Sequence, residues 1–92
     1  MIRSFACGET EALFHSRAVS RFRNIERVAR RKLLQIHAAT ELASLRIPPG
    51  NRLEALKSDR KGQHGVRIND QWRVCFVWKS DGARGVEIVD YH

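Results

Sequence analysis

The hydrophobic pattern of this chain changes its period at residues 47–51, Ile-Pro-Pro-Gly-Asn. Apolar residues recur at helical spacing before this segment and at every second position after it. The two prolines cannot continue a helix, and the glycine favours a turn. Because helices followed by short strands must share one core, the pattern predicts an α+β fold with helices packed on an antiparallel sheet.

The predicted order of elements is β-α-α-β-β-β-β within one domain covering residues 1–92. We expect Asn24 to cap the second helix and both helices to pack on one face of the sheet. The predicted strands are 2–5, 52–56, 64–68, 72–79 and 85–91, and the predicted helices are 8–16 and 23–45.

The charge balance indicates a partner that is a polyanion. The formal net charge is +7, from 17 basic and 10 acidic residues, and most of the basic residues are arginines, whose planar guanidinium suits phosphate. No segment combines a basic face with large apolar anchors, so nucleic acid is favoured over a membrane surface. The chain shows neither a signal peptide nor a membrane span, and we expect a cytoplasmic protein with reduced cysteines.

The turn 69–71 can be tested by the side-chain pattern of its flanking strands. A three-residue loop pairs Val66 with Val74 and Arg67 with Arg73, so that one face is apolar and the other carries two arginines. A two-residue loop would mix the faces, because a slip of one residue reverses every side chain. The first register therefore predicts two adjacent arginines on one sheet face, which indicates either local ion pairs or a phosphate site.

The last strand ends on Asp90, Tyr91 and His92. If residues 80–83 form a four-residue loop, Asp90 lies opposite Arg73 and His92 follows on the same face. Tyr91 would then point away, unless the end of the chain curls back.

These side chains suit RNA cleavage, which requires a base, cations for the phosphorane charge and an acid for the leaving oxygen. A structural Asp–Arg pair and a solvated terminal histidine are the alternative interpretation. His64 is a further candidate for RNA contact. We expect no metal and no cofactor, since His64, Cys75 and His92 have no recognisable zinc spacing. The candidate catalytic residues are Arg67, Arg73, Asp90, Tyr91 and His92, and the candidate substrate-binding residues are Lys57, Arg60, Lys61 and His64.

The segment 51–78, NRLEALKSDRKGQHGVRINDQWRVCFVW, with the ending VEIVDYH, resembles the HigB-like branch of the RelE/ParE toxin superfamily. The resemblance runs over the whole chain. It implies a RelE-like β-α-α-β-β-β-β fold and ribosome-dependent cleavage of mRNA in the A site. It assigns phosphate contacts to Lys57, Arg67 and Arg73, and proton transfer to the last three residues.

The resemblance also implies partners. They are a helix-turn-helix antitoxin of the HigA type, the ribosome and its mRNA, with operator DNA contacted only through the antitoxin. Some relatives carry a histidine where this chain has Glu54, which leaves the general base open between Glu54 and the chain end. The superfamily includes gyrase-directed members, so a non-enzymatic gyrase inhibitor is the alternative function.

Overall fold

A computed structural model describes residues 1–91 and confirms the α+β class. Two helices pack on a four-stranded antiparallel sheet whose strands follow the chain order β1-β2-β3-β4. The predicted strand at the N-terminus is present only as isolated bridges. The helices are α1, Gly8–Phe14, and α2, Glu26–Ala38; the strands are β1, Glu54–Ala55, β2, His64–Arg67, β3, Trp72–Lys79, and β4, Gly82–Asp90.

Helix α2 buries one side against the sheet. Ala29, Leu33 and Ile36 recur at helical spacing and are fully buried. The predicted cap at Asn24 is wrong, because a 3-10 turn at Ser20–Ile25 precedes α2 and Asn24 lies within it. None of the helices within residues 1–91 is long and apolar enough to cross a bilayer.

The core lies between the helices and one face of the sheet. Val66, Val74, Phe76 and Ile88 point into it from three strands and are almost completely buried. Trp72 packs on Phe22 with ring centroids 5.6 Å apart. Within residues 1–91, neither α1 nor α2 packs on the opposite sheet face, which carries the arginines.

The N-terminal segment pairs with the edge of β4 in two isolated parallel bridges, Ile2 with Ala83 and Phe5 with Val86. Its backbone hydrogen bonds include Arg3 N–H to the Ala83 carbonyl at 2.7 Å. This contact covers an edge that would otherwise be open for pairing with another chain.

The approach of Met1 to β4 depends on a glycine. A Cβ at Gly82, whose φ is +129°, would lie 2.0 Å from the Met1 carbonyl oxygen. We expect Gly82→Ala to lower the free energy of unfolding by about 2–4 kcal/mol, from backbone strain and the displaced hydrogen bond of Ala83 N–H to Met1. Gly85→Ala is the matched control, because its φ of +60° is strained but its Cβ would meet no atom within 4 Å. Urea unfolding curves measure both, and equal losses would contradict the steric argument.

A buried polar network holds the segment that leads into β1. The Lys32 ammonium on α2 donates to Oδ1 of Asn51, and Nδ2 of Asn51 donates to the Leu45 carbonyl at 3.1 Å. Burial lowers the pKa of Lys32, and repulsion from Arg31 and Arg67 adds to this. Since Asn51 is fully buried, the network fixes where the chain leaves the 3-10 turn Pro49–Asn51 and enters the shortened strand β1.

Candidate functional site

Arg67 and Arg73 lie side by side on the helix-free face of the sheet. The backbone pairs Arg67 with Arg73 and Val66 with Val74, which confirms the register predicted from side-chain alternation. We call the surface formed by Arg60, Arg67 and Arg73 the arginine face.

Each arginine of this face has a carboxylate nearby. Arg60 donates to Glu87 at 2.9 Å, and Arg67 donates to Asp70. The ion pairs limit the repulsion expected between neighbouring cations on a sheet. The side chain of Asp70 is 100% exposed, so its pair with Arg67 is weak and a stronger anion can replace it.

The third pair, between Arg73 and Glu54, differs in geometry from the other two. Nη1 of Arg73 lies 3.0 Å from Oε1 of Glu54, and the Arg73 side chain is only 19% exposed. This nitrogen is buried and has no hydrogen-bond partner in the described chain. The two charges attract each other, but the N–H is not aligned on the carboxylate. Arg73 therefore has an N–H group without an aligned acceptor, in a site that is only partly open to solvent.

Tyr91 lies beside Arg73 on the same face, with the guanidinium carbon 5.2 Å from the centre of its ring. The backbone N–H of Tyr91 donates to the Gln71 carbonyl at 2.7 Å, so residue 91 is held next to the start of β3. Tyr91, Lys57 and Arg60 line a cleft of about 280 Å³ together with Ser58 and Asp59. The sheet and the 3-10 turn Ser58–Arg60 thus bring two predicted cations to the predicted tyrosine.

The position predicted for Asp90 is wrong. Asp90 lies opposite Trp72, and Arg73 lies opposite Val89. The loop between β3 and β4 has two residues, with Lys79 paired to Gly82, and a bulge at Gly85 then adds one residue to β4. This register places Asp90 on the other side of β4 from Arg73, where it accepts a hydrogen bond from Gln71 Nε2 at 3.0 Å.

The same register places Tyr91 on the arginine face, which also reverses the prediction that its side chain points away. His92, the third residue of the predicted proton-transfer group, lies outside the described residues.

His64 is not on the arginine face. It pairs with Phe76 across the sheet, and the two rings are stacked 6.4 Å apart on the side of the core. Its Nδ1 is buried without a hydrogen-bond partner among residues 1–91.

Lys61 is exposed next to the turn Ser58–Arg60, so the structure brings it near the cleft but not into the cluster around Arg73.

Glu87 is a member of the site that the sequence analysis missed. It alternates with buried Val86 and Ile88 on β4, a pattern that marks it as facing away from the core.

Cys75 lies opposite Glu87, and burial raises the pKa of its thiol to about 11. That thiol is therefore protonated at neutral pH and unsuited to nucleophilic chemistry. Within the part of the chain described, no three His, Cys, Asp or Glu residues are grouped to hold a metal.

Residues 11–92 match the family model of the RelE-like toxin of type II toxin-antitoxin system HigB. The chain is 46% identical over 69 residues to Toxin HigB-1 of Vibrio cholerae serotype O1, covering 75% of this chain and 72% of that protein. It is 31% identical over 81 residues to an uncharacterized protein of Haemophilus influenzae, covering 88% and 73% of the two chains.

A solved structure is similar in fold. The crystal structure of YafQ from E. coli strain BL21(DE3) superimposes with a TM-score of 0.63, covering 98% of this chain and 91% of that one at 14% identity. The family match spans most of the sequence and agrees with the resemblance noted from its motifs. The chain therefore belongs to the HigB-type, RelE-like toxins of type II toxin–antitoxin systems.

Proposed function

We propose that this toxin is a ribosome-dependent endoribonuclease that cleaves mRNA in the A site and so inhibits translation. Membership of the RelE-like HigB family supports this activity and favours it over the inhibition of gyrase. The +7 charge of the chain suits a substrate made of phosphates.

The observation that carries the proposal is the environment of Arg73. Its guanidinium contacts the Glu54 carboxylate and the Tyr91 ring at once, and one buried donor has no hydrogen-bond partner in the described chain. A buried donor left unpaired costs free energy in the free protein. A phosphate oxygen placed beside Glu54 and Tyr91 would give this guanidinium a further anionic acceptor.

In the proposed reaction the ribose 2′-oxygen attacks the adjacent phosphorus, and the bond from phosphorus to the 5′-oxygen breaks. A base accepts the proton of the 2′-OH, and an acid returns a proton to the leaving 5′-oxygen. Arg73 and Arg67 stabilise the negative charge that develops on the phosphorane oxygens. Lys57, Arg60 and Lys61 bind the flanking phosphates.

Glu54 is the residue we propose as the base, because its carboxylate is 47% exposed and adjacent to Arg73. Asp90 faces away from this cluster, so we propose for it no direct part in the proton transfer. Tyr91 and His92 remain the candidates for the acid at the end of the chain.

A type II toxin has an antitoxin partner. We propose that this antitoxin is a HigA-like helix-turn-helix protein, that operator DNA is bound only through it, and that the toxin acts on ribosomes in the cytoplasm.

The target is tested by inducing the toxin without its antitoxin. We expect growth to stop, with translated transcripts cut within codons and plasmid supercoiling unchanged. The readouts are primer extension on abundant mRNAs and gel analysis of a reporter plasmid. Intact transcripts combined with an SOS response or double-strand breaks would support gyrase as the target and refute the proposed activity.

A further inference from the structure

The outer side of α2 and the 3-10 turn before it carry a second group of arginines, Arg23, Arg27 and Arg31, spaced four residues apart. All three are exposed. Unlike the arginine face, this group has no carboxylate of its own, since none of its side chains makes an ion pair or hydrogen bond within residues 1–91. Like charges four residues apart destabilise a helix, so the group is a charge left uncompensated in the free toxin.

These arginines line a groove of about 530 Å³. The Arg30 side chain on one side of the groove is held in place, because it donates to Glu26 at 3.1 Å and to the Leu13 carbonyl at 3.0 Å. Leu34 also lines the groove and is 53% exposed, one of few large apolar side chains in the described chain that solvent reaches so freely. The groove is therefore lined by four arginines, one glutamate that is paired with Arg30, and one exposed apolar side chain.

The groove lies apart from the arginine face. Helix α2 packs Ala29, Leu33 and Ile36 on the sheet, and Arg27, Arg31 and Leu34 are on its exposed side. The arginine face is on the opposite side of that same sheet. The groove is therefore a surface separate from the one assigned to the mRNA.

We propose that this groove binds an acidic, amphipathic helical segment of the antitoxin. Carboxylates spaced one helical turn apart would pair with Arg27 and Arg31, and an apolar side chain of the same segment would cover Leu34. A phosphate backbone matches the groove less well, since it offers nothing apolar to Leu34. This proposal rests on family membership, which implies an antitoxin. It adds the chemical character of the antitoxin segment that contacts the groove.

The test uses the double variant Arg27→Glu/Arg31→Glu, with Lys79→Glu/Arg84→Glu as a control that changes the net charge equally at exposed positions elsewhere. Binding of the purified antitoxin is measured by isothermal titration, and mRNA cleavage on ribosomes by the free toxin is measured separately. We expect the first variant to bind antitoxin at least ~100-fold more weakly, because close charge pairs at an interface couple strongly. The cleavage rate and the circular dichroism spectrum of this variant should be unchanged. The control variant should bind antitoxin and cleave mRNA like the wild type.

Leu34→Ala provides a second variant that leaves the charge unaltered. It should also weaken antitoxin binding, by ~10-fold or more, without affecting cleavage. Wild-type affinity in both the double variant and Leu34→Ala would overturn the proposal. Loss of ribosome binding with antitoxin affinity intact would identify the groove as an RNA contact and would also overturn it. If wild-type toxin binds antitoxin but cleaves no mRNA, the proposed activity fails, and the titrations alone still decide the docking site.

Discussion

Replacing Arg73 with alanine is expected to reduce mRNA cleavage on ribosomes by ~100-fold or more, because the developing phosphorane charge loses a positioned donor. The side chain lies on the sheet face opposite the core and contacts the exposed Glu54 and the Tyr91 ring, so the core is untouched. The variant should remain folded by circular dichroism and should still bind the antitoxin. Toxicity in cells should fall in parallel with the cleavage rate measured on programmed ribosomes.

Arg84→Ala is the matched control for this experiment. Arg84 is also a strand arginine with a carboxylate partner, Asp81, but it is more exposed and lies near the far end of the β3–β4 hairpin. It should retain wild-type cleavage. If Arg73→Ala cleaves as fast as Arg84→Ala, the arginine face is not the site of cleavage.

Replacing Glu54 with glutamine is the second change with a large expected effect. The substitution keeps the size of the side chain and removes the carboxylate, so a base acting on the 2′-OH would be lost. We expect the single-turnover cleavage rate to fall by ~10²–10⁴-fold, the usual contribution of general acid–base catalysis. Ribosome binding should change little, since the neighbouring arginines remain.

Two changes at the end of the chain complete the assignment. Tyr91→Phe removes one hydroxyl and keeps the ring that packs on Arg73, and deletion of His92 removes the last residue. If Tyr91→Phe or the deletion abolishes cleavage while Glu54→Gln cleaves normally, the base lies at the chain end and our assignment of Glu54 is wrong. A drop in Glu54→Gln together with Tyr91→Phe would assign base and acid to these two residues.

Alternation of side chains was sufficient to predict the hairpin of β2 and β3. Val66 and Val74 had to share the core, and only one register allowed this, so the adjacency of Arg67 and Arg73 followed directly. The change of period at residues 47–51 likewise predicted the fold class. In both cases the hydrophobic effect acts on positions that are neighbours in sequence or joined by a short turn.

The register of β4 could not be predicted in this way. Both sides of β3 carry apolar residues, so several pairings bury similar surface. The choice is made by a two-residue turn and by the bulge at Gly85, whose N–H donates to the Ser4 hydroxyl at 2.9 Å. That contact joins residues at opposite ends of the sequence, and it puts Tyr91 rather than Asp90 beside Arg73.

The amino-acid sequence by itself therefore determined the class of fold, the basic character and the pair of arginines, because local patterning of apolar and charged residues is enough to specify them. Tertiary structure alone decided which acidic and aromatic side chains meet that pair. Glu54 comes from one edge of the sheet and Tyr91 from the end of β4. Their meeting depends on long-range backbone pairing and on one bulge, whose energies are set by contacts between distant segments.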